Sequence, residues 1–344
     1  MKKLYKKILF GGIASTLLGG VFFLVGCGAN GFDFNFLSND KIEQKEYIQD
    51  ESKNITELSF AFDTTDFIVN FDENAQGVSV SYPQRQNKKG TNVSEITITE
   101  TENSLSITEK PLFHISIFDF NEKKLIVTLP TSQAYALSFK GDTGDVTVNA
   151  GGSFSTLTLK ISTGDMSLSN VQTDELSATV STGNIEVNGA TVAGNFTTKA
   201  STGNTTLSTI TAGSLSAKAS TGNVKIDSVS ITDAVSIETS TGNITLLGEV
   251  KASSLTVLAD TGKIKAGEAT IDATTLSFTT NTGDVSVKLT GSKHDYATTI
   301  RTSTGDANIS SNLENVQDGL INPARTLKAK TTTGDIKIYF TSES

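Results

Sequence analysis

Along most of its length the chain alternates apolar and polar residues with period two, and single glycines interrupt the alternation at regular intervals. Counting back seven, five and three positions from Gly164 gives Leu157, Leu159 and Ile161; counting forward two and four gives Met166 and Leu168. The same frame around Gly183 gives Leu176, Ala178 and Val180, then Ile185 and Val187. Alternation at period two on both sides of a turn predicts two strands that share one buried face. A further apolar position follows in many units (Val171, Ile210, Val229), which predicts a short third side.

The frame recurs at Gly144, Gly164, Gly183, Gly203, Gly222, Gly242, Gly262, Gly283, Gly305 and Gly334, each following a Thr and preceding Asp, Asn or Lys. Its spacing is 19 to 22 residues until a last step of 29. A period of this length marks a unit that buries its apolar face only against its neighbours. Coils stacked in register, about 4.8 Å apart, pair their backbone edges and enclose a continuous narrow core. The expectation is an all-β chain whose residues 141–344 form a β-solenoid, β-helix-like, of about ten 19–22-residue coils. Small inward residues (Ala200, Ala217, Ala219, Thr239) predict a thin interior. At each corner glycine permits a left-handed backbone. The Asp or Asn after it is expected to bond local backbone across the corner. Stacked in chain order, these residues would form a ladder from Asp145 to Asp335.

Residues 55–140 lack the turn but keep the alternation, as in Leu58–Phe62, Ile96–Ile98 and Leu125–Val127. They predict irregular first coils and a β cap over the open end. Residues 28–54 are polar and read as a spacer. Before them, Met1–Lys7 is basic and Ile8–Gly26 is an uncharged run of 19 residues, near the roughly 20 that a helix needs to cross a bilayer. The lysines favour an N-inside orientation. Two anchors fit residues 1–27. One is an uncleaved hydrophobic anchor helix. The other is a lipoprotein signal peptide, in which Leu24-Val25-Gly26-Cys27 ends at a lipid-modified Cys27. Both give a membrane-anchored, extracytoplasmic protein at the cell surface.

Composition narrows the function classes. The net charge is −9, and the first 27 residues carry four lysines and no acid, which leaves −13 on the remainder. That balance argues against nucleic acid as a partner. Cys27 is the only cysteine, so no intrachain disulfide forms. His114 and His294 are far apart, no nucleophile motif accompanies them, and they read as ordinary strand and loop residues. Two His and one membrane-proximal Cys do not make a zinc site. No catalytic residue, metal or cofactor is expected.

At this point the chain resembles a known group, the bacterial "putative adhesin" family of membrane-tethered β-strand-repeat proteins of unknown function. The resemblance rests on the apolar segment running into Gly31-Phe32-Asp33-Phe34, on Leu129-Pro130 after a β run, and on the repeated Ser-Thr-Gly-Asp/Asn turns. It implies a β-helix-like fold, a membrane tether and no established catalytic residues.

Two binding surfaces follow from the repeat. Four residues before the turn glycine stand Lys140, Lys160, Lys199, Lys218, Arg301 and Lys330, an outward basic row that could track an anionic cell-wall polymer. The repeat lengthens after Gly283 and Gly305, at Thr290–Tyr296 and Ser311–Arg325. These insertions should emerge side by side and offer His294, Tyr296, Asn315, Gln317 and Asp318 to a partner. The functional expectation is a non-catalytic surface binding module or adhesin, engaging a wall polymer or a host surface. The alternatives are an envelope-stress accessory acting on another membrane protein and, as a minor one, a polysaccharide-active β-helix enzyme.

Overall fold

The computed structural model describes residues 41–50, 52–87, 89–112, 122–149, 151–311 and 323–341. Ile8–Gly26 and Cys27 lie outside the described residues, and with them both anchor readings. Among the described residues no helix is long and apolar enough to cross a membrane.

The described chain is all β. Its first strands are β1 (Lys41–Ile48), β2 (Glu57–Thr64), β3 (Asp66–Asp72), β4 (Ser79–Gln86), β5 (Ser94–Glu100), β6 (Ser104–Pro111) and β7 (Lys124–Pro130). The regular repeat supplies β8 (Ala134–Thr143), β9 (Val146–Asn149), β10 (Ser153–Thr163), β11 (Met166–Thr182), β12 (Ile185–Thr202) and β13 (Thr205–Thr221). It continues through β14 (Val224–Ile231), β15 (Ala234–Thr241), β16 (Ile244–Thr261) and β17 (Ile264–Thr282). The last strands are β18 (Val285–Thr290), β19 (Tyr296–Arg301), β20 (Ala307–Ser311), β21 (Arg325–Lys330) and β22 (Ile336–Thr341), with a 3-10 turn at Lys293–Asp295.

Successive repeats stack as parallel coils in register, so that Leu157 meets Leu176, Leu176 meets Phe196 and Phe196 meets Leu215. The residues before each glycine form one wall (wall A) and those after it a second (wall B). A short third wall continues from Val171 through Ala190, Ile210, Val229 and Val250 to Ile271. The apolar frame read from the sequence is the core: Leu157, Leu159, Ile161, Met166 and Leu168 are buried, as are Val171, Ile210 and Val229. Small side chains fill the middle, with Ala200, Ala217, Ala219 and Thr239 buried. Aromatics fill the N-terminal layers, where Phe67 stacks on Phe139 with ring centroids 4.1 Å apart.

Three expectations need correction. The spacer at 28–54 contains a strand: β1 pairs antiparallel with β4 from Lys41–Gln86 to Ile48–Ser79. Its charged side chains hide the apolar period, because β1 is largely solvent-facing. Within 55–140, β2 and β3 are not irregular. They form a full layer, with β2 between β6 and β8 and β3 between β7 and β9. Thr65 stands where later corners carry glycine, with Phe60 and Phe62 before it and Phe67 and Val69 after it.

The third correction concerns layer order at the C-terminal end. Gly283 N–H donates to the carbonyl of Thr333, and Gly334 N–H donates to the carbonyl of Thr304. The layers therefore run Gly283, Gly334, Gly305, and the ladder runs Asp284, Asp335, Asp306. Accordingly β22 lies between β18 and β20, and β21 lies between β17 and β19. The longer spacings have a mechanical reason. From Thr290 the chain must pass over one layer to begin β19, and after β20 it must return to fill the layer it skipped.

Candidate binding faces

The corner that each repeat builds is tied to the next one by side chains. Asp145 Oδ1 accepts the backbone N–H of Asp165 at 2.8 Å, Asp165 that of Asn184 at 2.7 Å, and Asn184 that of Asn204 at 2.9 Å. The series continues through Asn223 and Asn243 to Lys263. Downward it begins one layer early, at Asp66, which accepts from Asp145 N–H. The bonds expected within a corner thus run between corners. This arrangement satisfies a backbone donor at the point where the strand bends out of its ladder.

Lys263 has no oxygen to offer the next layer. Its ammonium instead bonds Asp284 Oδ2 at 2.9 Å. That hydrogen bond, with one from Asp335 N–H, holds the Asp284 carboxyl below the usual carboxylate range, and the Lys263 ammonium is raised in turn.

Wall A presents the predicted basic row in register. Lys140 pairs with Lys160, Lys199 with Lys218, and Lys330 with Arg301. Thr179 separates the first two pairs, so the row is broken into pairs rather than continuous. Lys218 is further tempered by Glu238, 2.9 Å away. Two residues nearer the strand start runs a second outward row that the sequence reading missed. Ser106, Ser59, Ser138, Thr158, Ser177, Thr197, Ser216, Ser236, Thr256 and Ser277 follow one another layer by layer. The signal was available as Ser or Thr six positions before every glycine from Gly144 to Gly283. Wall A is therefore a polar plane with hydroxyls and cations at fixed spacing.

The predicted docking edge fares differently. Tyr296 is buried at 5% exposure. Its hydroxyl donates to the Thr290 carbonyl at 3.0 Å and accepts from Arg325 Nη1 at 3.1 Å. Arg325 also bonds Asp272 Oδ1 at 2.9 Å. Tyr296 thus pins the two crossings to the stack and is not free for a partner, because the chain needs it where it skips a layer. His294 is partly exposed in the 3-10 turn, and its N–H donates to Ser292 Oγ. Asn315, Gln317 and Asp318 lie outside the described residues, as does His114.

Nothing described assembles a reaction centre. A groove of about 540 Å³ on wall B is lined by Lys263, Lys265, Glu268, Asp284 and Lys337, without His or Cys. Among the described residues no three His, Cys, Asp or Glu are placed to hold a metal ion.

Against known proteins, residues 55–193 and 173–339 match the Toastrack DUF4097 family. This chain belongs to that family. The two matched segments together span almost all of the layered region, including the non-sequential layers at both ends. Among solved structures, a "putative cell adhesion protein" from Clostridium sporogenes is 12% identical with a TM-score of 0.24, covering 87% of this chain and 100% of that one. A "putative adhesin" from Bacteroides fragilis is 16% identical with a TM-score of 0.35, covering 87% and 97%. A "putative lipid binding protein" from Parabacteroides distasonis is 14% identical with a TM-score of 0.30, covering 88% and 97%. No curated protein matches the sequence.

Proposed function

We propose that this Toastrack chain is a non-catalytic β-solenoid, held outside the cytoplasmic membrane by its Ile8–Gly26 segment, that binds an anionic cell-wall polymer along wall A. The observation that carries the reading is the pair of outward rows. Paired cations at Lys140–Lys160 and Lys199–Lys218 stand beside an unbroken line of hydroxyls. A flat sheet with a fixed layer spacing suits a polymer that repeats along its own axis. Lysines supply attraction without base or sugar specificity, and the hydroxyls can donate to phosphate or sugar oxygens.

The test is binding of the full chain, in detergent micelles, to purified teichoic acid at rising salt. Binding should weaken with ionic strength and disappear when Lys160, Lys199 and Lys218 are all replaced by Glu. Equal binding by wild type and the triple variant would sink the reading.

A further inference from the structure

The two ends of the stack are finished differently. At the N-terminal end, antiparallel strands close the edges: β5 covers β6, and β4 covers part of β7. Beyond β4 lies β1 with Lys41, Glu43, Lys45 and Glu46, the kind of charged edge that discourages further pairing. At the C-terminal end, among the described residues, β19 pairs only with β21 and β20 only with β22. Neither β19 nor β20 contains a proline or an acid. Their outer edges offer rows of backbone donors and acceptors.

The side chains of this last layer are unfinished in the same sense. Ile300 continues the inward row of Ala329, and Ile309 that of Ile338. Yet Ile309 is 37% exposed and Ile300 only partly buried. Asp306 is the last rung of the corner ladder. Its own N–H donates to Asp335 Oδ1 at 3.0 Å, and among the described residues no layer beyond it supplies the N–H that its carboxylate would accept.

We propose that this end is a self-association surface, on which two copies stack last layer to last layer about a two-fold axis. Closed two-fold pairing is the commonest way a surface complements itself. An axis through the corner between Thr304 and Gly305 lays corner on corner and β19 against β20 of the other copy, antiparallel. Inward residues then meet inward residues. Ile300 faces Ile309 of the partner subunit, and the reciprocal pair forms on the other side of the axis, so both become covered. Ser303 of the partner subunit stands opposite Asp306 and can donate to its carboxylate. Arg301 of the partner subunit stands diagonally from Asp306, within reach across an antiparallel pair. Hydrophobic cover, backbone pairing and charge complementarity all coincide in this one register. The inference is independent of the polymer reading, because wall A remains open in the dimer.

The test is sedimentation of the full chain in detergent micelles over a concentration series. Wild type should be a dimer that dissociates on dilution. Arg301→Asp and Asp306→Arg should each shift it to monomer, and the double variant, with the charges exchanged, should dimerise again. Circular dichroism of every variant guards against simple unfolding. A wild type that stays monomeric at all concentrations overturns the proposal. So does a dimer that both single variants leave intact. A monomeric wild type that dimerises once residues 312–322 are deleted would mean that this segment covers the edge within one chain, and would overturn it too.

Discussion

At the scale of single residues, the corners decide stability. Gly222 has φ +146°, and a Cβ there would collide with the carbonyl of Gly203 in the layer below. Two penalties thus fall on one position, a backbone conformation that L-residues avoid and a clash with a stacked neighbour. Gly222→Ala should destabilise by at least about 2 kcal/mol, seen as a lowered denaturation midpoint. Asn204 contributes through its oxygen, which accepts Asn223 N–H at 2.9 Å. Asn204→Asp should be near neutral, whereas Asn204→Leu should cost about 0.5–1.5 kcal/mol, the range of one lost hydrogen bond. A second corner, six residues after the glycine, holds Asn170, Thr209 and Ser228 at φ 49°, 56° and 58°. A β-branched residue is poorly suited to that conformation. Thr209→Gly should therefore raise the melting temperature, with a gain up to about 1 kcal/mol after glycine's own entropic cost. A lower melting temperature would contradict the strain at this corner.

At the scale of elements, the break in the ladder at Lys263 makes a pH prediction. Asp284 has its carboxyl lowered chiefly by the Lys263 hydrogen bond. A depressed carboxylate stabilises the fold above the ordinary Asp range, and that contribution is lost as pH falls through the lowered value. Lys263→Asn would restore the missing acceptor for the next layer and remove the ion pair. Thermal melts at neutral and acid pH should show the variant losing less stability on acidification than wild type. The coils themselves were legible from sequence because the buried positions that flank each corner, from Leu157 to Phe278, keep the same offsets from its glycine. The layer of β2 and β3 was not read, although Leu58, Phe60, Phe62, Phe67 and Val69 keep those offsets around Thr65. Glycine marks the later corners, and Thr65 turns this one without it. The hydroxyl row was equally present in the sequence, but Ser and Thr are so common here that only the register makes them a line. The order of the last layers could not be read from pattern alone, since Gly305 and Gly334 obey the same frame. The extra length between them was the signal, and it marks crossings of the chain.

At the scale of the molecule, both ends are interleaved: the first layered segment sits one layer in from one end and the last one layer in from the other. Amide hydrogen exchange gives a counterintuitive expectation. Residues 326–330 and 336–340, close to the chain end, should exchange slowly, and 297–301 faster at concentrations dilute enough to keep the chain monomeric, because only the former are paired on both sides within one chain. Truncating the chain after Pro323 should expose 296–311 to protease, since its supporting layer is gone; protection retained in that segment would contradict the layer order. The same interleaving shapes how the protein is made. Inside the stack a corner bonds one only 19 or 20 residues away, whereas the end corners bond across 79 and 51 residues. Steps that close long stretches of chain are slow. A chain emerging from its N-terminal side must hold β2 and β3 without their upper neighbours until β8 and β9 arrive. The middle can grow coil by coil as it emerges, while each end waits for a distant segment, so the two tips are the last parts to mature and the places where a passing chaperone would find unpaired strand.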